Sequence, residues 1–573
     1  MAHETHYSVD HSESSREAKV KRHCMRALIV LITLSLFTFG ADLGAQDDPQ
    51  TGRLAMLARV WGLIKHHHPQ PSLTAADWDL ALYAAIPQAR QAAGSGAFSA
   101  LVIGMINKAG PINPLEFPIF LPQPITTDPF FSWINDTRFF TPTAGYLLKL
   151  IVSNLKAPNP FTRYVTSDGT ADLSLEPPWD SGDQTSEEFR LLTLFRYWNH
   201  VLHFSPHRAL TDPAWDTVLS VMIPQFTAAA APLEFALVCQ KLTVMTGDSG
   251  AVLSSHVLED GFWGPYFPPF LTRTLENKIV ITRVLNPDLR QIAPGDIIEA
   301  VDDEDIAVMR ARLLPFLTTA NPTVTERELN RILARGQTPT VRLRILRGSE
   351  ILTVEIDRVS ADLYAEWLSP AHQAPAWKTL GDGILLIRPD RLIPEEIDAL
   401  IFAVKASRAA IFDLRHPLDL IPPGLVEALF DRSVPFARQV LPTQSNPGFF
   451  IETAPLTCGP IEENPNPYSG KILVLLSAET GGLAERFCLM LQARPGTLSL
   501  GAQTAGSPGI PVQLVLPGGM VTRFSGQGLY YPDGRPIQRS GLIVDIPVSI
   551  SQEDLLLGRD PVLERALVEA ERD

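Results

Sequence analysis

The chain has 573 residues, of which 45% are hydrophobic and 19% charged, with 49 prolines and a net charge of −15. That length implies roughly two to four domains with ample core, and the acidic balance, with no basic run in the body of the chain, excludes a nucleic-acid-binding surface. Cys24, Cys239, Cys458 and Cys488 are too few for a disulfide framework, fit no metal knuckle and read as buried free thiols.

Lys19, Lys21, Arg22 and Arg26 precede an apolar run from Ala27 to Phe39, and small residues follow in "GADLGAQ". This is the order of a signal peptide, with a cut expected after Ala45 and Met25 as an alternative start. The run is short for a membrane span. Export to the periplasm or the extracellular space is expected, and an uncleaved anchor is the alternative.

Residues 57–88 and 194–225 match at 13 of 32 positions with a constant offset of 137. Trp61 pairs with Trp198, Pro69 with Pro206, Trp78 with Trp215, and Asp79 with Asp216. Each copy predicts a helix, a Pro-stopped loop and a second helix, with Trp61 and Trp198 in equivalent buried sites; two copies do not make a solenoid. The "KHHHP" run at 65–69 invites a metal reading. Adjacent histidines on a helix point about 100° apart, however, and share one ion poorly. Only His66 has a His counterpart, His203, which favours packing at a helix end. The stretch from 89 to 193 is mixed and Pro-rich, and 177–189 reads as a linker with a helix start at Ser186.

Strand-like runs at 278–284, 296–302, 340–347 and 351–357 surround a polar helix near 324–335. "APGDIIEAVDDEDI" (293–306) sets a Pro-Gly turn before a buried strand and an acidic turn after it. This segment resembles a PDZ domain, which binds an extended peptide, often its C-terminus, at a sheet edge. A small β-barrel used as a spacer is the alternative. From 381 onward, apolar runs at 383–389, 409–417, 471–479 and 497–504 alternate with helical patterns at 394–407, 424–431 and 483–493. That pattern predicts a mainly parallel sheet covered on both faces. In "LLSAETGGLAERF" (475–487) a buried strand meets Gly481-Gly482 and feeds a helix, a turn where enzymes often hold a nucleophile over helix N–H groups.

These pieces in this order resemble the tail-specific, or C-terminal-processing, serine peptidases, most of all their secreted tricorn-like branch. The likeness rests on "VWGLIKHHHP", "RLLTLFRYWNHVLHFSPH", "LENKIVITRV", "PGDIIEAVD", "IFDLRHP", "GAQTAGSPG", the stretch from "LVLPGGMVTRF" to "GLIVDI", and "GRDPVLERAL". It implies a multidomain α/β protein with N-terminal helical-hairpin repeats, a PDZ-like β domain and a crotonase-like α/β peptidase core. The expected divisions are 1–45, 46–185, 186–262, 263–360 and 361–573. The family's nucleophilic Ser lies in a Thr-x-Ser-x-Ala-Glu stretch; here that stretch starts at Thr480 and has Gly482 at the Ser position. The family's base follows an Asp by two residues; here Asp248 is followed by Gly250. The Lys used by other branches is absent from "TAGSPG", which contains Ser507. Gln538 and Arg539 keep the branch's pattern, and Val544 replaces a Pro.

Covalent catalysis needs a nucleophile and a base within hydrogen-bond reach. The resemblance therefore implies a secreted protein that binds extended polypeptides or peptide C-termini with little or no proteolysis, using no cofactor or metal. Asp248, Thr480, Gly481 and Ser507 are expected to line the pocket. Two alternatives stay open: a working peptidase with displaced chemistry, through Ser477, Thr480, Ser507 or His256, and a scaffold.

Overall fold

The computed structural model describes residues 48–69, 74–112, 130–153, 166, 168–174, 176–177, 179, 185–368, 375–443 and 446–572. The expected signal segment 1–45 and Cys24 lie outside the described residues; Gln50–Asp573 form one unit.

The repeat folds as two helical hairpins, α1 (Pro49–His67) with α2 (Ala75–Gln91), and α3 (Glu187–Phe204) with α4 (Trp215–Ala228). Thr74 caps α2 in a capping box with Asp77, and Ser186 caps α3. In each hairpin two indoles lock the helices reciprocally. Trp61 Nε1 donates to Trp78 O at 3.2 Å and Trp78 Nε1 to Trp61 O at 3.1 Å; Trp198 and Trp215 do the same at 2.9 and 3.0 Å. All four rings are buried, which pairs each buried N–H with a carbonyl.

The hairpins also meet each other about a pseudo-two-fold axis, because residues at the offset of 137 touch their own counterparts. His66 packs on His203 with ring centroids 4.3 Å apart. A Cβ on Gly62 would overlap the Asn199 amide, whose Nδ2 donates to Ala58 O at 3.0 Å. Arg59 pairs with Asp216 at 3.3 Å, and the equivalent pair Arg196–Asp79 mirrors it in the buried seam. This is the self-complementary geometry of a two-fold dimer, built within one chain. One continuous core runs through both hairpins and on to Val512, Leu514 and Phe524. Glu176 and Trp179, flanking the start of the expected linker, are buried against this layer.

The loop 245–251 leads from the helices into β1 (Val252–Ser254). An antiparallel sheet follows, in the order β2 (Phe270–Leu275), β3 (Lys278–Val284), β4 (Ile297–Val301), β5 (Thr340–Arg347), β6 (Glu350–Asp357), with Glu304–Asp305 pairing β4. Helix α5 (Pro322–Ile332) packs against β2 through the Thr272 and Thr274 side chains. Thr274 Oγ1 donates to Glu326 Oε2 at 2.7 Å, and Asn330 Nδ2 to Thr274 Oγ1 at 2.8 Å. The β6 edge pairs with no further strand among the described residues.

The C-terminal sheet contains β7 (Trp377–Thr379), β8 (Ile384–Ile387), β9 (Ala409–Asp413), β10 (Lys471–Leu476), β11 (Leu498–Gly501) and Ile546–Pro547, and all its pairings but β7–β8 are parallel. Alternate residues serve opposite faces. Ala410, Phe412, Ile472 and Val474 join one core with helix α6 (Leu483–Gln492), while Ala409, Ile411, Leu473 and Leu475 pack with Val562 and Ala566 on the other side. β12 (Pro511–Val515) and β13 (Val521–Ser525) form a separate sheet with β1.

Candidate active site

The turn between β10 and α6 is held by its own side chains. Thr480 is fully buried; its hydroxyl donates to Leu414 O at 2.8 Å and accepts from Ser477 N at 3.0 Å. Ser477 Oγ accepts from Glu479 N at 3.2 Å. The Thr480 hydroxyl is thus engaged as donor and acceptor, and the Ser477 oxygen as acceptor. Gly482 follows at φ 56°, ψ −118°, a conformation that costs any residue with a side chain, so glycine relieves strain at this point. A Cβ on Gly482 would meet nothing within 4 Å, whereas one on Gly481 would lie 3.0 Å from Ala505 Cβ and 3.9 Å from Ser507 Oγ.

Backbone donors can be accounted for one by one. The N–H groups of Gly481 and Gly482 make no hydrogen bond among the described residues. In "FDLRHP", Leu414 N donates to Leu475 O and Arg415 N to Asp413 Oδ1, while Pro417 has no N–H. Among the described residues, His416 is the position of this motif left with a free N–H. Arg415 clamps Asp413 and Asp560 with paired bonds of 2.8–2.9 Å. Burial opposes the Asp413 charge, yet these bonds hold its carboxyl below the usual carboxylate range.

Glu485, in the first turn of α6, is fully buried and holds the neighbouring loop. It accepts from Thr504 Oγ1, from Gly506 N at 2.8 Å and from Ser507 N at 2.9 Å. Burial pushes it up to about 7, against those three donors. This loop sets Ser507 beside the elbow; Ser507 is 8% exposed and its hydroxyl makes no hydrogen bond among the described residues.

Asp248 comes from the helical side and is buried. It accepts from Gly250 N at 2.8 Å, Ser525 N at 2.7 Å and Gln538 Nε2 at 2.9 Å. A Cβ on Gly250 would lie 3.2 Å from Asp248 Oδ1, 3.3 Å from Ser525 Oγ and 3.6 Å from Ser507 Cβ. Asp248, Gly250, Ser507 and Gly481 thus converge, with Gly482 next in the chain. His256 does not join them: β1 runs away from Ser525 in register, and His256 is exposed beyond its far end.

Sequence reasoning missed four neighbours. Ser525 reaches the site through the β13 register. His207, from the loop after α3, donates Nε2–H to Gln527 O at 3.1 Å; burial lowers its pKa and Asp248 acts the other way. Asn321 caps α5 and donates to Thr504 O at 3.0 Å and Arg539 O at 3.1 Å, and Arg327 Nη1 donates to Ala478 O at 2.6 Å. So α5 ties the antiparallel sheet to the elbow. Its Asn-Pro-Thr start signalled a helix cap, but nothing in it signalled a docking contact.

Residues 443–548 match the family model "Peptidase family S41". Among curated proteins none matches the chain. Mature CPAF complexed with lactacystin is similar in fold: 13% identity over 67% of this chain and 98% of that one, TM-score 0.50. Mature CPAF alone gives 14% over 68% and 99%, also at 0.50. A putative peptidase from Parabacteroides merdae ATCC 43184 gives 14% over 68% and 97%, at 0.41. The matched segment carries the elbow and the loop holding Ser507, and the sheet and helices around it have the same fold as the two CPAF structures. Residues 443–548 thus carry the likeness to peptidase family S41, and about two thirds of the chain shares the fold of the two CPAF structures.

Proposed function

We propose that this S41-fold protein binds extended polypeptide without cutting it. One observation carries the reading: at the head of α6 stands Gly482, with neither nucleophile nor base on its backbone and open space where a side chain would project. The free N–H groups of Gly481, Gly482 and His416 support binding of a polypeptide carbonyl there. The PDZ-like sheet is read as a second contact for the chain. The β6 edge, which pairs with no further strand among the described residues, is open to strand addition. Export remains part of the reading, from the charged, apolar and small-residue order of 19–45. No helix among the described residues is long and apolar enough to cross a membrane.

A fluorophosphonate probe tests the chemistry. No covalent labelling, together with measurable binding of unfolded polypeptide, is the expected outcome; robust hydrolysis by the unaltered protein refutes it. Ser507 favours a second reading, displaced catalysis, because its hydroxyl makes no hydrogen bond among the described residues, whereas the Thr480 hydroxyl and the Ser477 oxygen hold the turn. Labelling abolished by Ser507→Ala would establish that alternative.

A further inference from the structure

The pseudo-two-fold seam between the hairpins offers two equivalent places, and among the described residues the chain fills one of them. There Glu176 Oε2 accepts from Lys65 Nζ at 2.6 Å, and its Oε1 lies 3.1 Å from His200 Nε2. One residue on, Pro177 O accepts from Arg196 Nη1 at 2.9 Å. Trp179 then stacks on Tyr83 with ring centroids 5.8 Å apart. A carboxylate, a carbonyl and a ring, each on its own partner, hold this stretch of chain against the two hairpins.

The offset of 137 carries each of those partners to the second place. Arg196 maps onto Arg59, Lys65 onto Leu202, His200 onto Leu63 and Tyr83 onto Ser220. Arg59, Leu63 and Leu202 line a shallow pocket there, with His203 and the rings of Phe131 and Trp133. Its free space is about 220 Å³ with the open mouth included. Arg59 is set much as Arg196 is: its Nη2 pairs with Asp216 at 3.3 Å, and its guanidinium carbon lies 5.3 Å from the centre of the Trp198 ring. Its Nη1, the atom that in Arg196 takes the Pro177 carbonyl, makes no hydrogen bond among the described residues. The donor for a carbonyl is thus kept, the two groups that hold a carboxylate are replaced by leucines, and the partner for a ring is gone. A carboxylate between Leu63 and Leu202 would lose its water to apolar walls, with Arg59 already paired to Asp216, whereas an aliphatic side chain gains by leaving water.

We propose that this pocket docks a polypeptide segment of another chain, which sets an aliphatic side chain between Leu63 and Leu202 and the carbonyl of its next residue on Arg59 Nη1. The chain's own Glu176-Pro177 is the template, with an aliphatic residue in place of the glutamate. The site uses none of the elbow's residues, so it stands or falls apart from what the elbow binds.

The test uses the full chain and two end-capped peptides, Ser-Gly-X-Pro-Pro-Ser with X either leucine or glutamate, followed by saturation-transfer NMR at pH 7.5. One aliphatic group and one charge-assisted hydrogen bond correspond to a dissociation constant on the order of 1 mM, within reach of that method. The leucine peptide should bind about tenfold or more tighter than the glutamate peptide. Leu202→Lys, which copies Lys65, should remove that preference or reverse it. A peptide with photo-activatable leucine at X should crosslink to residues 59–63, 130–133 or 202–203, read by mass spectrometry. Equal binding of the two peptides, a glutamate preference in the unaltered protein, or no binding of either up to about 10 mM overturns the proposal. So do crosslinks that all fall elsewhere, and a leucine preference that survives Leu202→Lys at full strength. Should Leu202→Lys fail to fold, the unaltered protein's preference and the crosslinked residues decide between these outcomes.

Discussion

Acid should loosen the seam between the two hairpins well before it protonates ordinary carboxylates. His66, His67 and His203 are 2–3% exposed, and neither ring nitrogen of His66 or His67 has a partner among the described residues. Burial drives all three below the ordinary histidine value, His67 to about 3, and the neighbouring His200, Lys65 and Arg208 add to the effect on His66 or His203. The unfolded chain protonates near pH 6.5 while the folded rings stay neutral. Stability is thus full above about pH 6.5 and falls as pH drops toward the folded values. Each ring costs about 1.4 kcal/mol per pH unit, so three cost about 6 kcal/mol at pH 5. Glu485 runs the other way, because a folded value of about 7, above its ordinary 4.5, adds stability as pH falls; that offsets about 2 kcal/mol. A net loss of about 4 kcal/mol between pH 7 and pH 5 is a large share of a typical folding free energy. Urea denaturation followed by tryptophan fluorescence, at constant ionic strength, measures it. His67→Phe, which copies Phe204 at the equivalent repeat position, should remove about 1.4 kcal/mol per pH unit of the slope. Stability that is flat or rises from pH 7 to pH 5 would refute the neutral, buried state of these rings.

The locked indoles give a second test: Trp61→Ala and Trp198→Ala should each cost about 3–5 kcal/mol by denaturant midpoint, and a cost below about 1 kcal/mol at either would deny it a packing role. Gly62→Ala should cost about 1–3 kcal/mol through crowding of Asn199, with Gly104→Ala, at a position where a Cβ meets nothing within 4 Å, as the tolerated control. Glu485→Gln should leave a buried donor of the 504–507 loop unpaired, costing about 1–3 kcal/mol, and should remove the compensating stabilisation below pH 7; an unchanged pH profile would contradict the role assigned to Glu485.

Much of the architecture was legible because it is written in local periodicity. Runs at 278–284 and 340–347 became strands over those same residues, and the apolar stretches at 471–479 and 497–504 shortened to β10 and β11. Alternate side chains of a doubly covered sheet are all apolar, and that leaves a signal in the sequence. The repeat was equally visible, since Trp61 and Trp198 needed only the offset to be paired. What the offset did not reveal was that the copies meet face to face. That depends on Gly62 admitting Asn199 and on Arg59 and Arg196 crossing to each other's hairpin, contacts made at sequence separations above 100 residues.

At the site, sequence alone placed Gly482 and Gly250 at the positions that matter in the resemblance, because strand-turn-helix motifs are local. It left Ser477, Thr480, Ser507 and His256 as equal candidates for displaced chemistry. Tertiary structure separated them. Thr480 and Ser477 are engaged in the turn, and the strand register carries His256 away. Ser507 is brought to the elbow by Glu485, and Ser525 and Asn321 arrive from segments with no local motif to announce them. Which hydroxyl is free depends on hydrogen bonds closed between distant segments, and a buried donor pairs with whatever acceptor the packing sets beside it, not with one its own neighbours in the chain encode.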